Sequence, residues 1–351
     1  MLAAASGPLN RESDQTNHKA TDPQTTNPQT TDQDLTVGQL QGLCLVGLVA
    51  MSDPPRAQAA TSIADCQAAG ITVAMVTGDH PQTALAIAKE VGLADDAAQV
   101  VTGPQLTDAA QEGQTALDHL CSQARVFARV EPQQKLQIVE SLQRQGHFVA
   151  VTGDGANDAP ALRAAHVGVA MGLRGTDVAK ETSDIVLTDD NFSSIVAGIK
   201  QGRVAYANVR KVIFLLISTG GAEVILFALA LLAGLPLPLL AVQLLWLNLV
   251  TNGIQDIALA FEPAEGNELK QPPRSPGQGV FDRVMLQRVL LSAMTMGVVA
   301  FGTYEGLLRA GWSVDQARNM VLLLMVMFEN LHAFNSRSET QSVFTMNPLK
   351  N

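Results

Sequence analysis

The side chains best equipped for chemistry lie in residues 151–162, VTGDGANDAPAL. An apolar run, residues 147–151, feeds a tight turn, Thr152-Gly153-Asp154-Gly155. Asn157 and Asp158 follow, and Pro160-Ala161-Leu162 opens a helical pattern. A strand, a glycine turn and a helix N-terminus in succession gather anions and metals at the C-terminal edge of a parallel sheet. Asp154 and Asp158 flank the turn, so they are expected to converge on one hard cation. Magnesium takes oxygen ligands and keeps several waters, which suits a two-carboxylate half-site.

Two further groups stand at the ends of predicted strands. Residues 71–76 read as a strand that ends in Thr77-Gly78-Asp79, with a helix from Gln82 to about Val91 stopped by Gly92. Residues 126–129 read as another strand, followed by Glu131-Pro132 and a helix to about Gln145. The apolar positions Leu136, Ile138, Val139 and Leu142 keep helical spacing, and Lys135 stands in the first turn. A cation there is not favoured by the helix dipole, and a surface lysine is the commonest explanation for a single lysine.

The elements around these groups alternate. A buried strand is predicted over residues 43–51, ended by Asp53-Pro54-Pro55-Arg56, with a helix to about Ala69. Residues 167–171 and 184–187 read as further strands. Strands alternating with helices imply an α/β domain with a doubly wound parallel sheet. Residues 8–36 are rich in Gln, Thr, Asn, Asp and Pro, a composition that cannot bury a core and is expected to be disordered.

Bulk composition adds a second half of different character. Of 351 residues, 47% are hydrophobic and only 16% charged, and the apolar excess lies after about residue 208. Four apolar runs, 212–235, 239–261, 286–308 and 320–336, each approach the roughly 20 residues needed to span a bilayer. Lys200, Arg203, Arg210 and Lys211 precede the first run, and Lys270, Arg274, Arg283 and Arg288 lie between the second and third. That asymmetry puts the α/β domain and the second connection in the cytosol of a multi-pass membrane protein. The net charge of −10 argues against nucleic acid as a partner and leaves cations open. Cys44, Cys66 and Cys121 show no paired spacing, which fits a reduced compartment. The six histidines are scattered without ligand spacing, and residues 1–7 lack the basic and apolar regions of a signal peptide.

Polar residues inside these runs are candidates for function because they are costly there. Glu223 sits in the first run, next to Gly220-Gly221, which permits close helix approach or local unwinding. In the second run Asn248, Thr251, Asn252 and Asp256 fall at helical spacing on one face, and Gly253 interrupts them. Oxygens from facing helices with broken geometry hold dehydrated cations near the midplane, although Asn and Thr also serve to join helices. Glu329 in the last run is a further candidate.

The string TGDGxNDxPAL at residues 152–162 resembles the hinge motif of P-type ion-pumping ATPases, within the haloacid dehalogenase superfamily. The DPPR at 53–56, the TGD at 77–79, QLLWLNLVTNG at 243–253 and SETQSVF at 338–344 resemble segments of calcium-type pumps. The resemblance covers about residues 40–351. It implies residues 1–40 as a polar tail or remnant of a nucleotide-binding domain, 41–205 as the phosphorylation domain and 206–351 as the transmembrane domain. It implies ATP and magnesium as cofactors, with Arg56, Thr77 and Lys135 at the nucleotide and phosphoryl group. Thr77, Gly78, Asp79, Lys135, Asp154, Asn157 and Asp158 become the catalytic set, Asp154 and Asp158 holding magnesium. Glu223, Asn248, Thr251, Asn252, Asp256 and Glu329 become ligands of a transported, calcium-like cation in the plasma membrane.

Two positions depart from the calcium-pump pattern. Those pumps have an aspartate where Asn252 stands and an asparagine where Gly220 stands, which removes charge from a divalent site. The family's phosphorylated aspartate lies in DKTGT, and no such string occurs in this sequence. The first four membrane helices, the actuator domain and most of the nucleotide domain have no counterpart either. The expectation is part of an ATP-driven cation pump whose partner is the missing N-terminal half. The alternative is a non-catalytic membrane subunit or pseudoenzyme.

Overall fold

A computed structural model describes residues 54–275 and 277–339, and the backbone of strands at 2–6 and 44–49. The chain divides into two compact units, Met1–Arg56 and Ala57–Asn351. In the first, β1 (Leu2–Ser6) pairs antiparallel with β2 (Cys44–Val49), Leu2 opposite Val49 and Ser6 opposite Cys44. The expected strand at 43–51 is therefore present, in an antiparallel pair. Residues 8–36, expected to be disordered, lie outside the described residues.

The second unit opens with α1 (Ala59–Ala68), β3 (Met75–Val76), α2 (Pro81–Glu90), β4 (Val100–Thr102), α3 (Gly103–Glu112), α4 (Gln114–Gln123), β5 (Val126–Ala128) and α5 (Pro132–Arg144). The three strands form a parallel sheet in the order β3-β5-β4. Side chains of a strand alternate between faces, and β5 shows this directly. Val126 and Ala128 pack with Ile63, Ala84 and Ala88 of α1 and α2. Phe127 points the other way, into Leu106, Leu117, Cys121 and Ile138 of α3, α4 and α5. Burial on both faces is what a central parallel strand requires.

A second parallel sheet follows. It contains β6 (Ala150–Gly153), β7 (Val167–Met171) and β8 (Ile185–Leu187), in that order, with α6 (Ala159–Ala164) and α7 (Asp177–Thr182) between them. The strands of this unit are parallel, as expected, but they make two three-stranded sheets instead of one, and β2, expected among them, pairs antiparallel in the first unit. Among the described residues no strand pairs with the free edges of β3 and β6. A parallel sheet ends wherever no further strand supplies the next row of hydrogen bonds.

Helix α8 (Phe192–Leu232) then runs for 41 residues without a break, about 60 Å at the usual rise. It takes in the basic residues expected before the first span. After it come α9 (Ala241–Leu245), a wide-turned π segment at Trp246–Thr251, α10 (Asn252–Ala260), α11 (Arg283–Arg309) and α12 (Val314–Ser336). Two of these, α8 and α11, are long and apolar enough to cross a membrane. The expected second run is helical but broken by the π segment, and α12, which holds the fourth, carries Asp315, Arg318, Glu329 and His332. Those features keep both runs below the length or apolarity of the other two.

The helices share a core of Ala222, Leu226, Leu247, Met296, Ala300, Tyr304, Val321 and Met325. Contact between α8 and α11 is close enough to demand glycine: a Cβ at Gly297 would stand 2.7 Å from Ile225 Cβ. Small residues of this kind let helix backbones approach. Gly221 serves the same contact, its Cβ position 3.1 Å from Ala293 Cβ, whereas Gly220 has open space and α8 stays helical through both.

Candidate functional site

The first candidate site forms at the strand ends. Gly153 closes β6, and a Cβ there would lie 2.6 Å from Asp158 Cβ. Only glycine lets the Asp158 side chain fold back over the strand end. Asp158 Oδ2 then accepts the amides of Asp154 (3.3 Å) and Gly155 (3.1 Å). Its other oxygen, Oδ1, takes Lys135 Nζ at 2.5 Å. Asp158 is thus occupied by the turn and the lysine. The Asp154 side chain is exposed and makes no bond among the described residues, while its carbonyl accepts the amide of Thr176 at the start of α7 (2.8 Å). Asn157 is exposed beside it.

Lys135 is positioned by a residue that sequence reasoning passed over. Gln134, buried in the first turn of α5, accepts the Glu131 amide (2.9 Å) and donates to Gly103 O (2.8 Å) and Thr107 Oγ1 (3.0 Å). The bond back to Glu131 is an ordinary capping interaction and was legible; the bonds to α3 were not.

Thr77-Gly78-Asp79 forms a self-contained turn beyond β3. Thr77 Oγ1 donates to Asp79 Oδ2 (2.8 Å) and accepts the Asp79 amide (3.1 Å). Its backbone is held to the end of β5 through Val130 N to Thr77 O (3.2 Å) and Arg129 N to Asp79 O (3.1 Å). No hydrogen bond among the described residues joins this turn to Lys135 or Asp154. Arg56 belongs to the first unit and is exposed.

The second candidate site lies in the helices. Asn248 Nδ2, in the π segment, donates to both carboxylate oxygens of half-buried Glu223, at 3.0 and 3.1 Å. Asn252 is fully buried and both its amide atoms lack partners; so do both carboxylate oxygens of fully buried Glu329. Thr251 and Asp256 are half-buried, and Asp256 Oδ1 has no partner. The predicted row is therefore split: Asn248 meets α8, while Asn252 turns inward with Gln255 and Leu259. The irregularity expected at Gly253 falls one turn earlier, in the π segment, a feature often found at functional sites. Among the described residues no three Asp, Glu, His or Cys side chains gather as a metal cluster.

Sequence reasoning missed Ser218, Gln255 and His332, whose side chains carry buried atoms without partners. Gln255 was detectable as the residue one turn from Asn252. It also missed a tie between α1 of the α/β half and the long helix α8. Arg203 of α8 donates to Glu268 O (2.6 Å), Gln271 O (2.7 Å) and Ala69 O (3.1 Å), joining α8, the 261–282 connection and the end of α1. Arg210 reaches Asp282 and Glu339, each at 2.8 Å, and Lys211 reaches Glu265 at 3.2 Å. These basic residues, read as topology signals, are thus also structural struts.

Residues 10–166 match the haloacid dehalogenase-like hydrolase family, and residues 236–351 match the family described as cation transporting ATPase, C-terminus. The chain is 42% identical to a calcium-transporting ATPase of Bacillus subtilis, over 88% of this chain and 34% of that protein. It is 44% identical to a probable cation-transporting ATPase F of Mycobacterium tuberculosis, again over 88% and 34%. A P-type sodium-transporting ATPase4 of Toxoplasma gondii is 45% identical over 69% of this chain and 19% of its own length. The chain spans about a third of the length of the first two relatives.

Proposed function

The chain belongs with the P-type cation-transporting ATPases, and from that premise we propose that it forms the phosphoryl-handling and cation-binding portion of an ATP-driven pump for a calcium-like divalent ion. In this reading the complete pump transfers phosphoryl from ATP to an aspartate that this sequence does not contain. Asp154, exposed and unengaged, takes magnesium, which supplies charge neutralisation at the phosphoryl group. Asp158, with both oxygens engaged, acts by holding Lys135 and the turn. Lys135 neutralises developing charge, and Thr77 offers its hydroxyl. Arg56 contacts nucleotide.

The cation passes between α8, the π segment, α10 and α12, all four apolar runs spanning the plasma membrane with the α/β domain in the cytosol. The observation that carries this reading is fully buried Glu329, with no partner for either oxygen, on the helix that shares a core with the α8 segment bearing Glu223. A carboxylate taken out of water without a partner calls for compensating positive charge. Asn248, Thr251 and Asn252 supply neutral oxygens, and Asp256 stands one turn further on. Arg203 ties the two halves together, so that reorientation at one is felt at the other.

The test reunites the chain with an N-terminal portion carrying DKTGT and four helices, in vesicles. ATP-dependent uptake of radioactive calcium is expected, abolished by Glu223→Gln. Uptake of sodium or protons with calcium inert would refute the choice of ion and keep the pump. One other reading is a non-catalytic membrane subunit. No acid-stable phosphoenzyme is expected from this chain alone under either reading; failure of transport in the reunited pump would favour the subunit.

A further inference from the structure

We infer that Glu329 and His332 of α12 act together as ligands and make this pathway selective for a divalent ion of the manganese class over calcium. The inference rests on the cation-pathway reading above and narrows its divalent ion to the first-row class, with calcium the weaker substrate. Residues three apart on a helix share a face, so Glu329 and His332 project from the same side of α12. A Glu-x-x-His pair on the inward face of a helix is a means by which helical bundles hold first-row metal ions.

Both side chains are withdrawn from water and left without partners. Glu329 is fully buried, with neither carboxylate oxygen hydrogen-bonded. His332 is 7% exposed, and its Nε2 has no partner. A buried polar group left unsatisfied is uncommon in a folded protein and points to a missing ligand, water or ion. These two stand one turn apart and do not bond to each other, so their lone pairs remain available.

Two contacts bring other helices to the same level. The Phe214 ring of α8 packs on the His332 ring with centroids 4.9 Å apart and planes at 60°. Ser218, one turn along α8 from Phe214, is fully buried and its hydroxyl has no partner. From α10, Gln255 Nε2 donates to Asn330 Oδ1 at 3.1 Å, which leaves its own buried Oε1 unpartnered. Asn252, one turn from Gln255, is unpartnered at both amide atoms. The helices that touch α12 thus carry buried neutral oxygens without partners, Ser218 on α8 and Asn252 and Gln255 on α10, beside the carboxylate and imidazole of α12 itself.

The donor set decides the class of ion. Calcium takes six to eight oxygens and gains little from imidazole. Imidazole suits the later first-row ions, while carboxylate and neutral oxygens suit manganese, so the mixed set favours a first-row ion over calcium, and manganese is the member that reports by electron paramagnetic resonance. Thiolates would favour zinc or copper, but Cys66 and Cys121 both lie in the α/β half, before the helices.

The test uses the full chain in lipid nanodiscs, with manganese binding read by electron paramagnetic resonance and calcium binding by radioactive calcium. Wild-type protein should bind manganese more tightly than calcium and show nitrogen hyperfine coupling from a directly bound imidazole. His332→Asn and His332→Phe should each lose that coupling and weaken manganese binding about tenfold or more, with calcium changed less than about twofold. Glu329→Gln should weaken both ions. Absence of nitrogen coupling in the wild type, or unchanged manganese affinity in both His332 variants, overturns the inference. If Glu329→Gln still weakens both ions, the cation pathway survives that result. Binding of neither ion by the wild type overturns both.

Discussion

Lys135 Nζ stands 2.5 Å from Asp158 Oδ1, and this contact joins the helix that follows β5 of one parallel sheet to the turn that follows β6 of the other. The same carboxylate collects two loop amides through Oδ2. Asp158 therefore fixes at once where the lysine charge sits and how the Asp154 turn is shaped.

Asp158→Ala should lower the stability of the full chain by about 1–3 kcal/mol, because it removes a charge-assisted bond and strands two amides. Lys135→Met should cost less, since the turn amides keep their acceptor. The two changes should be non-additive, because each removes the same pair. Thermal unfolding of the single and double variants in detergent gives the coupling; simple additivity would show that the contact contributes nothing.

Gly153→Ala should destabilise the same turn. The new methyl would stand 2.6 Å from Asp158 Cβ, which must move, at a cost of about 1–3 kcal/mol for such overpacking. Gly155→Ala is the control. Its Cβ would meet Asp158 Oδ2 at 3.5 Å, an ordinary contact, and its melting temperature should fall less. Equal losses would mean that the close approach at Gly153 is not what requires glycine.

Arg203→Ala should free the 261–282 connection from α8 and α1. Three carbonyls lose a charged donor, which costs about 2 kcal/mol or more. Arg203→Lys should rescue little, since an ammonium cannot reproduce the guanidinium fork. Limited proteolysis within residues 266–279 should accelerate in both variants. An unchanged cleavage rate would show that the connection is held by other contacts.

Asp282 predicts an acid limb in stability. Its carboxylate caps α11 by accepting the Met285 amide at 2.7 Å. That bond, and then the Arg210 guanidinium, hold its pKa below the ordinary value of 3.8. A depressed carboxylate stabilises the fold fully above its unfolded pKa and loses that contribution as pH falls through the folded value. Asp282→Asn should therefore lower stability near neutral pH and flatten its fall below about pH 4. Parallel pH profiles for parent and variant would remove Asp282 from the acid response.

Much of the α/β half was legible because its signals are local. The strand predicted at 167–171 is found at Val167–Met171, and α2 and α5 begin at their prolines and stop where predicted to within a residue or so. Caps, glycine stops and apolar spacing act within a few residues, so they can be read in one dimension. The strand predicted over 71–76 shrank to Met75–Val76, because a strand extends only as far as its neighbour pairs with it. The short β4 and the helices α3 and α4 between residues 100 and 123 went unpredicted.

By itself the sequence determined the parallel α/β character, the turns that carry Thr77, Asp154 and Asp158, the apolar helices and the polar residues within them. Tertiary structure decided what those residues touch. It set Lys135 against Asp158 and Asn248 against Glu223. It ran α8 unbroken through the change in hydropathy at about residue 208, since Lys, Arg and Gln continue a helix as readily as Leu. It gave Arg203 three carbonyls from two distant segments and left Glu329 and His332 buried without partners. Spacing along a chain fixes which side chains share a face, but distances between elements far apart in sequence are set only when their cores pack together.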